Sequence, residues 1–502
     1  MIKIIKKKWF EITLSVFVLL GIVLSLINLF HNTSLGLDQA CLALNIVSRS
    51  YMELLTPLAD GQSAPIGFLL TEKLLTNIFG PYDWVLKIFP FFSFILAIFL
   101  FFILNKKLFN SIKIALLSCA LLSLNFTLIH YSTEVKQYST DVLVAISIVL
   151  SCLNFNANKN KLSILLHTSI GAIAIWFSNI AVIMLVTTAI YNTYYSLFNN
   201  NKKEFSILTP ISIWLTSFII YYLIFIYNNP HTDYMTNYWD AHFLPNNIFS
   251  KEFYTFLYHK AIMIFASLIL NNHLWIIALA SYSFGILLLI KTKQINILYI
   301  LSFPILVHLG LSFYHLYPFE GRFLLYQIPF IITIISYSII SISTYFKSSH
   351  VSKIIILISL LTSTLWSLKL IENSDSYEEE IKKSLSYVNT HISSTDNIYV
   401  YYSSAPAFKF YKKNYQNING NNEIKFGSFS RGNRENYIAE IQSIPNDVWL
   451  IFSHMYTEGF PNKPPESEEE FIIEYLTKNK YSVILKAKFK DSSCYKIKKH
   501  KL

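Results

Sequence analysis

A lone carboxylate, Asp38, stands in a Gly-Leu-Asp-Gln turn between two apolar segments. Behind it Ala40, Ala43, Leu44, Val47, Tyr51, Leu54 and Leu55 recur at helical spacing, with Asn45, Ser48, Arg49 and Glu53 off that stripe. Such a helix lies in a membrane interface rather than crossing it. Asp38 at its head either caps free backbone amides or takes up a proton in a reaction; the local sequence admits both. Further along, Glu134, Gln137, Tyr138 and Asp141 fall at i, i+3, i+4 and i+7, so one helix face would present all four. Solvated charges at a helix end would give the same pattern. The run Tyr317-Pro318-Phe319-Glu320-Gly321-Arg322 brings a carboxylate and a guanidinium to the mouth of an apolar segment. Such a guanidinium suits a bidentate grip on phosphate, or serves as an anchor reaching for lipid headgroups. Tyr238-Trp239 reads as part of an interfacial aromatic belt. Asn32-Thr33-Ser34 fits the glycosylation pattern but reads as an ordinary loop.

The elements that must position these residues are apolar. Of 502 residues 53% are hydrophobic and 14% charged, against about 25% charged in soluble proteins; mean hydropathy is +0.42. This is the composition of an integral membrane protein. The formal charge of +11 is dispersed among short loops and does not mark nucleic-acid binding. Cys41, Cys119, Cys152 and Cys494 are far apart, so neither a zinc framework nor a disulfide scaffold is indicated.

Lys3, Lys6, Lys7 and Lys8 precede the first crossing, about 10–30, and place the N-terminus in the cytoplasm. Crossings follow at about 84–104, 112–129 and 139–153, two within 162–198, and then at 206–227, 273–290, 294–313, 323–346 and 354–370. Residues 253–271 read as an interfacial helix, because a further crossing would put Lys291 and Lys293 outside. With eleven crossings every lysine-rich short loop falls on one side. From Ile371 the composition turns polar, and short apolar strands (398–402, 447–452, 481–487) alternate with helical patterns (377–388, 434–441, 467–477). This predicts a small α/β domain with a largely parallel sheet, placed outside by the parity of the crossings. The domains are thus a helical polytopic membrane part, 1–370, and an extracytoplasmic α/β part, 371–502.

Ionisable groups in hydrocarbon cost about 2.5–3.5 kcal/mol on insertion scales. Asp38, Glu134, Asp141, Asp240 and Glu320 all fall at outer ends or outer loops of this reading. An ion-coupled transporter needs its charges near the midplane, so the pattern favours chemistry at the outer membrane face.

The chain resembles the GT-C superfamily of polyprenyl-phosphate-sugar-dependent glycosyltransferases. Within it the similarity is to the family-39-like branch of lipid A aminoarabinose transferases and protein O-mannosyltransferases. Leu37-Asp38-Gln39-Ala40 stands where that family has an acidic residue or Asp-Glu pair, and Asp60-Gly61-Gln62-Ser63-Ala64-Pro65 where it has a proline-containing segment. Thr133-Glu134-Val135-Lys136-Gln137-Tyr138 matches its acidic outer loop. Two departures stand out: Gln39 replaces the usual second acid, so a divalent metal is possible but not supported, and paired prolines are reduced to Ala64-Pro65.

The resemblance implies a cell-membrane, multi-pass glycosyltransferase that moves a sugar from a polyprenyl-phosphate donor to an envelope lipid, glycan or protein. Asp38 would be the general base, with Glu134 the second catalytic candidate. Lys136, Tyr138, Asp141, Tyr317, Glu320 and Arg322 would bind substrate, Arg322 first and Lys136 second for the phosphate. No cofactor is required. The alternatives are a lipid-sugar flippase, an O-antigen ligase or polymerase, or a non-enzymatic membrane scaffold.

Overall fold

The computed structural model describes residues 2–499 except 32–33, 158–159, 199–206, 228, 270–274, 346–348, 373–378, 421–422, 446, 459–465 and 480. Asn32 and Thr33 of the glycosylation pattern therefore lie outside the described residues. The chain divides into two compact units: Met1–Phe30 with Ser50–Ile371, and His31–Arg49 with Glu372–Leu502.

The first unit is helical. Hydrocarbon leaves backbone groups no water to bond, so a crossing segment satisfies them within a helix. Among the described residues six helices are long and apolar enough to cross: Lys8–Phe30, Asp83–Phe109, Tyr138–Ala157, Leu208–Phe225, Ile295–Phe313 and Gly321–Ser343. Shorter apolar helices in this unit are Ile112–Ser123, Lys161–Phe177 and Trp275–Lys291. The chain is a multi-pass membrane protein. Each expected crossing falls on helix, including Ala181–Phe198 and Ser349–Glu372, and the expected interfacial segment forms the helix Lys251–Ile269. Small residues let backbones approach closely. A Cβ on Gly21 would come within 2.5 Å of the Ser123 carbonyl group.

Two of the expected crossings are not single regular helices. The third breaks at Asn125, whose side chain accepts from Leu128 N at 3.0 Å and starts a second short helix, Phe126–Tyr131. Asn125 Nδ2 also donates to Ser267 O at 2.9 Å, fixing the break against helix Lys251–Ile269. The tenth begins as a 3-10 stretch, Gly321–Gln327, before the helix Ile328–Tyr345.

The second unit holds a five-stranded sheet of order β2-β1-β3-β7-β6. Its strands are β1 (Asn397–Val400), β2 (Ile424–Phe426), β3 (Val448–Ser453), β6 (Tyr481–Phe489) and β7 (Ser492–Lys499), with a separate pair β4 (Thr457–Glu458) and β5 (Glu466–Ser467). β1 is parallel to β2 and β3, whereas β7 is antiparallel to β3 and β6. The sheet is therefore mixed rather than largely parallel. The difference is β7, whose lysines dilute its apolar pattern although Cys494, Tyr495 and Ile497 are buried. β1 and β3 are buried along their whole length, as central strands covered on both faces are.

The segment 31–49 packs with this sheet domain, not with the helices on either side of it in sequence. Its helix Leu37–Ser48 lies on the helix Ala405–Tyr411. Leu35 N donates to Tyr411 Oη at 2.9 Å, and Lys382 N donates to Ser34 Oγ at 3.1 Å. The buried face is Ala40, Cys41, Leu42, Ala43, Asn45 and Ile46. It differs from the expected interfacial stripe, which ran on to Tyr51, Leu54 and Leu55 past the helix end. Small Ala40 and Ala43 suit protein packing better than lipid contact.

Candidate active site

The expected site residues fall in both units. Asp38 belongs to the second, and Glu134, Lys136, Tyr138, Asp141, Tyr317, Glu320 and Arg322 belong to the first.

In the second unit Gly36 is the N-cap of helix Leu37–Ser48. Asp38 is thus not the cap. It is the second helical residue, in the first turn, where the helix dipole favours a negative charge. The amide at the helix start is instead met by Glu379, whose Oε1 accepts from Leu37 N at 3.1 Å.

In the first unit the helix after the expected outer loop starts at Tyr138, so Glu134 and Asp141 do not share a helix face. Ser132 and Thr133 end the preceding helix by donating side-chain hydroxyls to Ile129 O and His130 O. Glu134 turns back and pairs with His130 Nε2 at 2.8 Å. Lys136 is buried and donates from Nζ to Gln62 Oε1 at 2.8 Å, so the expected proline-containing loop meets the expected acidic loop. Pro65 then opens the helix Ile66–Phe79 as its N-cap. Asp141 is buried and accepts from Ser178 Oγ at 2.6 Å.

Arg322 is the centre of the arrangement. Its guanidinium carbon lies 5.7 Å from the Tyr138 ring centroid, 5.3 Å from Trp239 and 5.7 Å from Phe323. Three ring faces at this range attract the cation and fix its plane. Glu320, two residues back, accepts from His242 Nδ1 at 2.7 Å and from Lys260 Nζ. Burial pushes the Glu320 carboxyl up, but the bonds and charges of Lys260 and His242 outweigh it and hold the group below its usual range. Tyr317 packs on Phe323 and His308, and burial raises its phenol well above the ordinary value. Phe319 N donates to His242 O at 3.0 Å, which ties the loop of Arg322 to the loop of Trp239.

Two polar atoms here are buried without a hydrogen-bond partner among the described residues: Gln137 Oε1 and Trp239 Nε1. A donor left open on Trp239, beside the guanidinium, and an acceptor left open on Gln137, next in sequence to Tyr138, suit a ligand carrying hydroxyls and an anion. Lys260 and His242 were missed in the sequence. Trp239, read as part of an aromatic belt, is instead a wall of the Arg322 cage.

The fold of the chain, a polytopic helical part with a small sheet domain, is that of solved ArnT structures. The chain is similar to ArnT from Cupriavidus metallidurans bound to undecaprenyl phosphate, with a TM-score of 0.55 and 8% identity over 96% of this chain and 97% of that one. The apo structure of that protein gives a TM-score of 0.54 over the same shares at 8% identity. No protein-family profile matches the chain, and no curated protein matches it by sequence.

Proposed function

We propose that the protein is a GT-C-type glycosyltransferase that takes its sugar from a polyprenyl-phosphate carrier and passes it to an envelope acceptor at the outer face of the cytoplasmic membrane. The observation that carries this reading is the Arg322 cage within an ArnT-like fold. Ring faces attract and orient the guanidinium, a group whose planar fork suits a bidentate grip on phosphate as negative charge gathers on it.

In the reaction Asp38 takes the proton from an acceptor hydroxyl or amine as that atom attacks the anomeric carbon. The bond from that carbon to the phosphate oxygen breaks, and polyprenyl phosphate leaves with the electron pair. Base assistance of this kind is worth about 10²–10⁴-fold. Arg322 receives the leaving phosphate. Trp239 Nε1 and Gln137 Oε1 meet sugar hydroxyls. Glu320, fixed by Lys260 and His242, keeps the loop of Arg322 in place.

The test is purified protein in detergent or nanodiscs, supplied with polyprenyl-phosphate sugars and an envelope extract. Release of polyprenyl monophosphate with sugar appearing on an acceptor is the expected result. Movement of intact donor across a bilayer without its consumption would replace this reading with a flippase.

A further inference from the structure

β3 and β7 pair antiparallel with Ser453 opposite Ser492, so the next residues outward, His454 and Asp491, leave the sheet side by side. His454 N donates to Asp491 O at 3.3 Å. Glu380 N donates to Lys490 O at 2.9 Å and brings Glu379 to the same turn. One imidazole and two carboxylates thereby offer ligand atoms that all lie within 4.8 Å of one another.

Glu379 makes this more than a surface cluster. The residue is 7% exposed, and its Oε1 is used twice: it accepts from Leu37 N at 3.1 Å and faces His454 Nδ1 at 2.9 Å. Its Oε2 is buried and has no hydrogen-bond partner among the described residues. A buried carboxylate oxygen left with neither donor nor cation is costly. The two residues beside it, His454 and Asp491, are both exposed, so an ion can reach the place from solvent.

We propose that Glu379, His454 and Asp491 form a binding site for a divalent first-row transition cation, with zinc the best match. An imidazole nitrogen with carboxylate oxygens is a zinc donor set, with bonds of about 2.0–2.2 Å. Calcium and magnesium prefer oxygen ligands throughout. On binding, His454 yields the Nδ1 proton to solvent and turns that nitrogen to the ion, while Glu379 Oε2 and an Asp491 oxygen complete three protein ligands. Water takes the open position. Glu379 Oε1 stays on the Leu37 amide, so the ion fixes the carboxylate that holds the first turn of the Asp38 helix. The cation site stands on its own geometry; only the consequence for catalysis rests on Asp38 as base.

The experiment needs no transfer assay, so its outcome is separate from the fate of the proposed reaction. Full-length protein in detergent is stripped with chelator, titrated with zinc alone, and assayed for bound metal and for the X-ray absorption of the bound ion. The expected result is a single zinc per chain with a nitrogen and oxygen shell free of sulfur. His454→Gln and Asp491→Asn alter exposed side chains and should keep the circular dichroism of the parent, while each weakens zinc binding by roughly tenfold or more. Zinc should also slow amide exchange at Leu37–Ala40 in the parent and not in the variants. Absence of stoichiometric zinc in the parent, or undiminished binding in both variants, overturns the proposal and leaves Glu379 and His454 as an ion pair only.

Discussion

Arg322 holds its guanidinium 5.3 Å from the ring centroid of Trp239, a residue 83 positions earlier in the chain. The pairing predicts how the two residues fail separately. Arg322→Lys keeps the charge but loses the planar fork, and should weaken donor binding roughly tenfold, about 1.4 kcal/mol. Trp239→Leu keeps an apolar side chain but removes both ring and N–H. The cation–π share alone is about 0.5–1 kcal/mol at exposed sites and more when desolvated, so donor affinity should fall severalfold with no change in expression. Both are read by donor titration in detergent. Unchanged affinity in Arg322→Ala would return this residue to the role of a headgroup anchor.

Glu320 predicts an acid limb in the stability profile. Its carboxyl is held below the usual range in the fold by Lys260 and His242. Such a group contributes stability that is complete above the unfolded value, about 4.3. That contribution is lost as pH falls through the lower folded value. Thermal midpoints measured from about pH 5 to pH 3 should therefore drop, and Lys260→Met should make the drop shallower while lowering the midpoint at pH 5. Identical slopes in parent and variant would show that the Lys260 contact does not set the Glu320 titration.

Hydropathy alone marks the helices of the first unit, because a crossing segment has to be apolar along its whole length. The pairings that build the site are of another kind. Tyr138, Trp239 and Arg322 come from three distant parts of the chain, and nothing in their local spacing says that they meet. The break at Asn125 was hidden for a related reason: one cap residue inside an apolar run barely alters hydropathy, yet it turns the loop that ends at Tyr138. The placement of segment 31–49 was hidden too. An amphipathic helix between two crossings has the same sequence signature whether its apolar face meets lipid or, as here, the Ala405–Tyr411 helix. Glu320 and Arg322 were legible because charges at the mouth of a crossing need a reason. Lys260 and His242, the partners that orient Glu320, were not.

The lysine distribution predicts an orientation of the chain that is open to direct measurement. Lys293, in the turn between helices Trp275–Lys291 and Ile295–Phe313, should report the cytoplasm in a reporter fusion. A fusion after Ser393, beyond the helix Ile381–His391 of the sheet domain, should report the exterior. The same side for both would overturn the count of eleven crossings.

Asp38 decides the proposed mechanism. The N-cap is Gly36, so the carboxylate of Asp38 is two positions too far along to serve as the cap. What it gives the fold is a negative charge in the first turn, an effect of about 0.3–1 kcal/mol at an exposed helix end. Asp38→Asn removes that charge and keeps the shape, so the thermal midpoint should move little and the donor should bind as before. If the carboxylate accepts the acceptor's proton, transfer should fall by about 10²-fold or more. Measuring donor affinity and turnover on the same preparation separates the two roles. A normal rate in purified Asp38→Asn would remove Asp38 from the reaction. Glu134→Gln would then be the next base to test, although its pairing with His130 at 2.8 Å already gives that carboxylate a structural task.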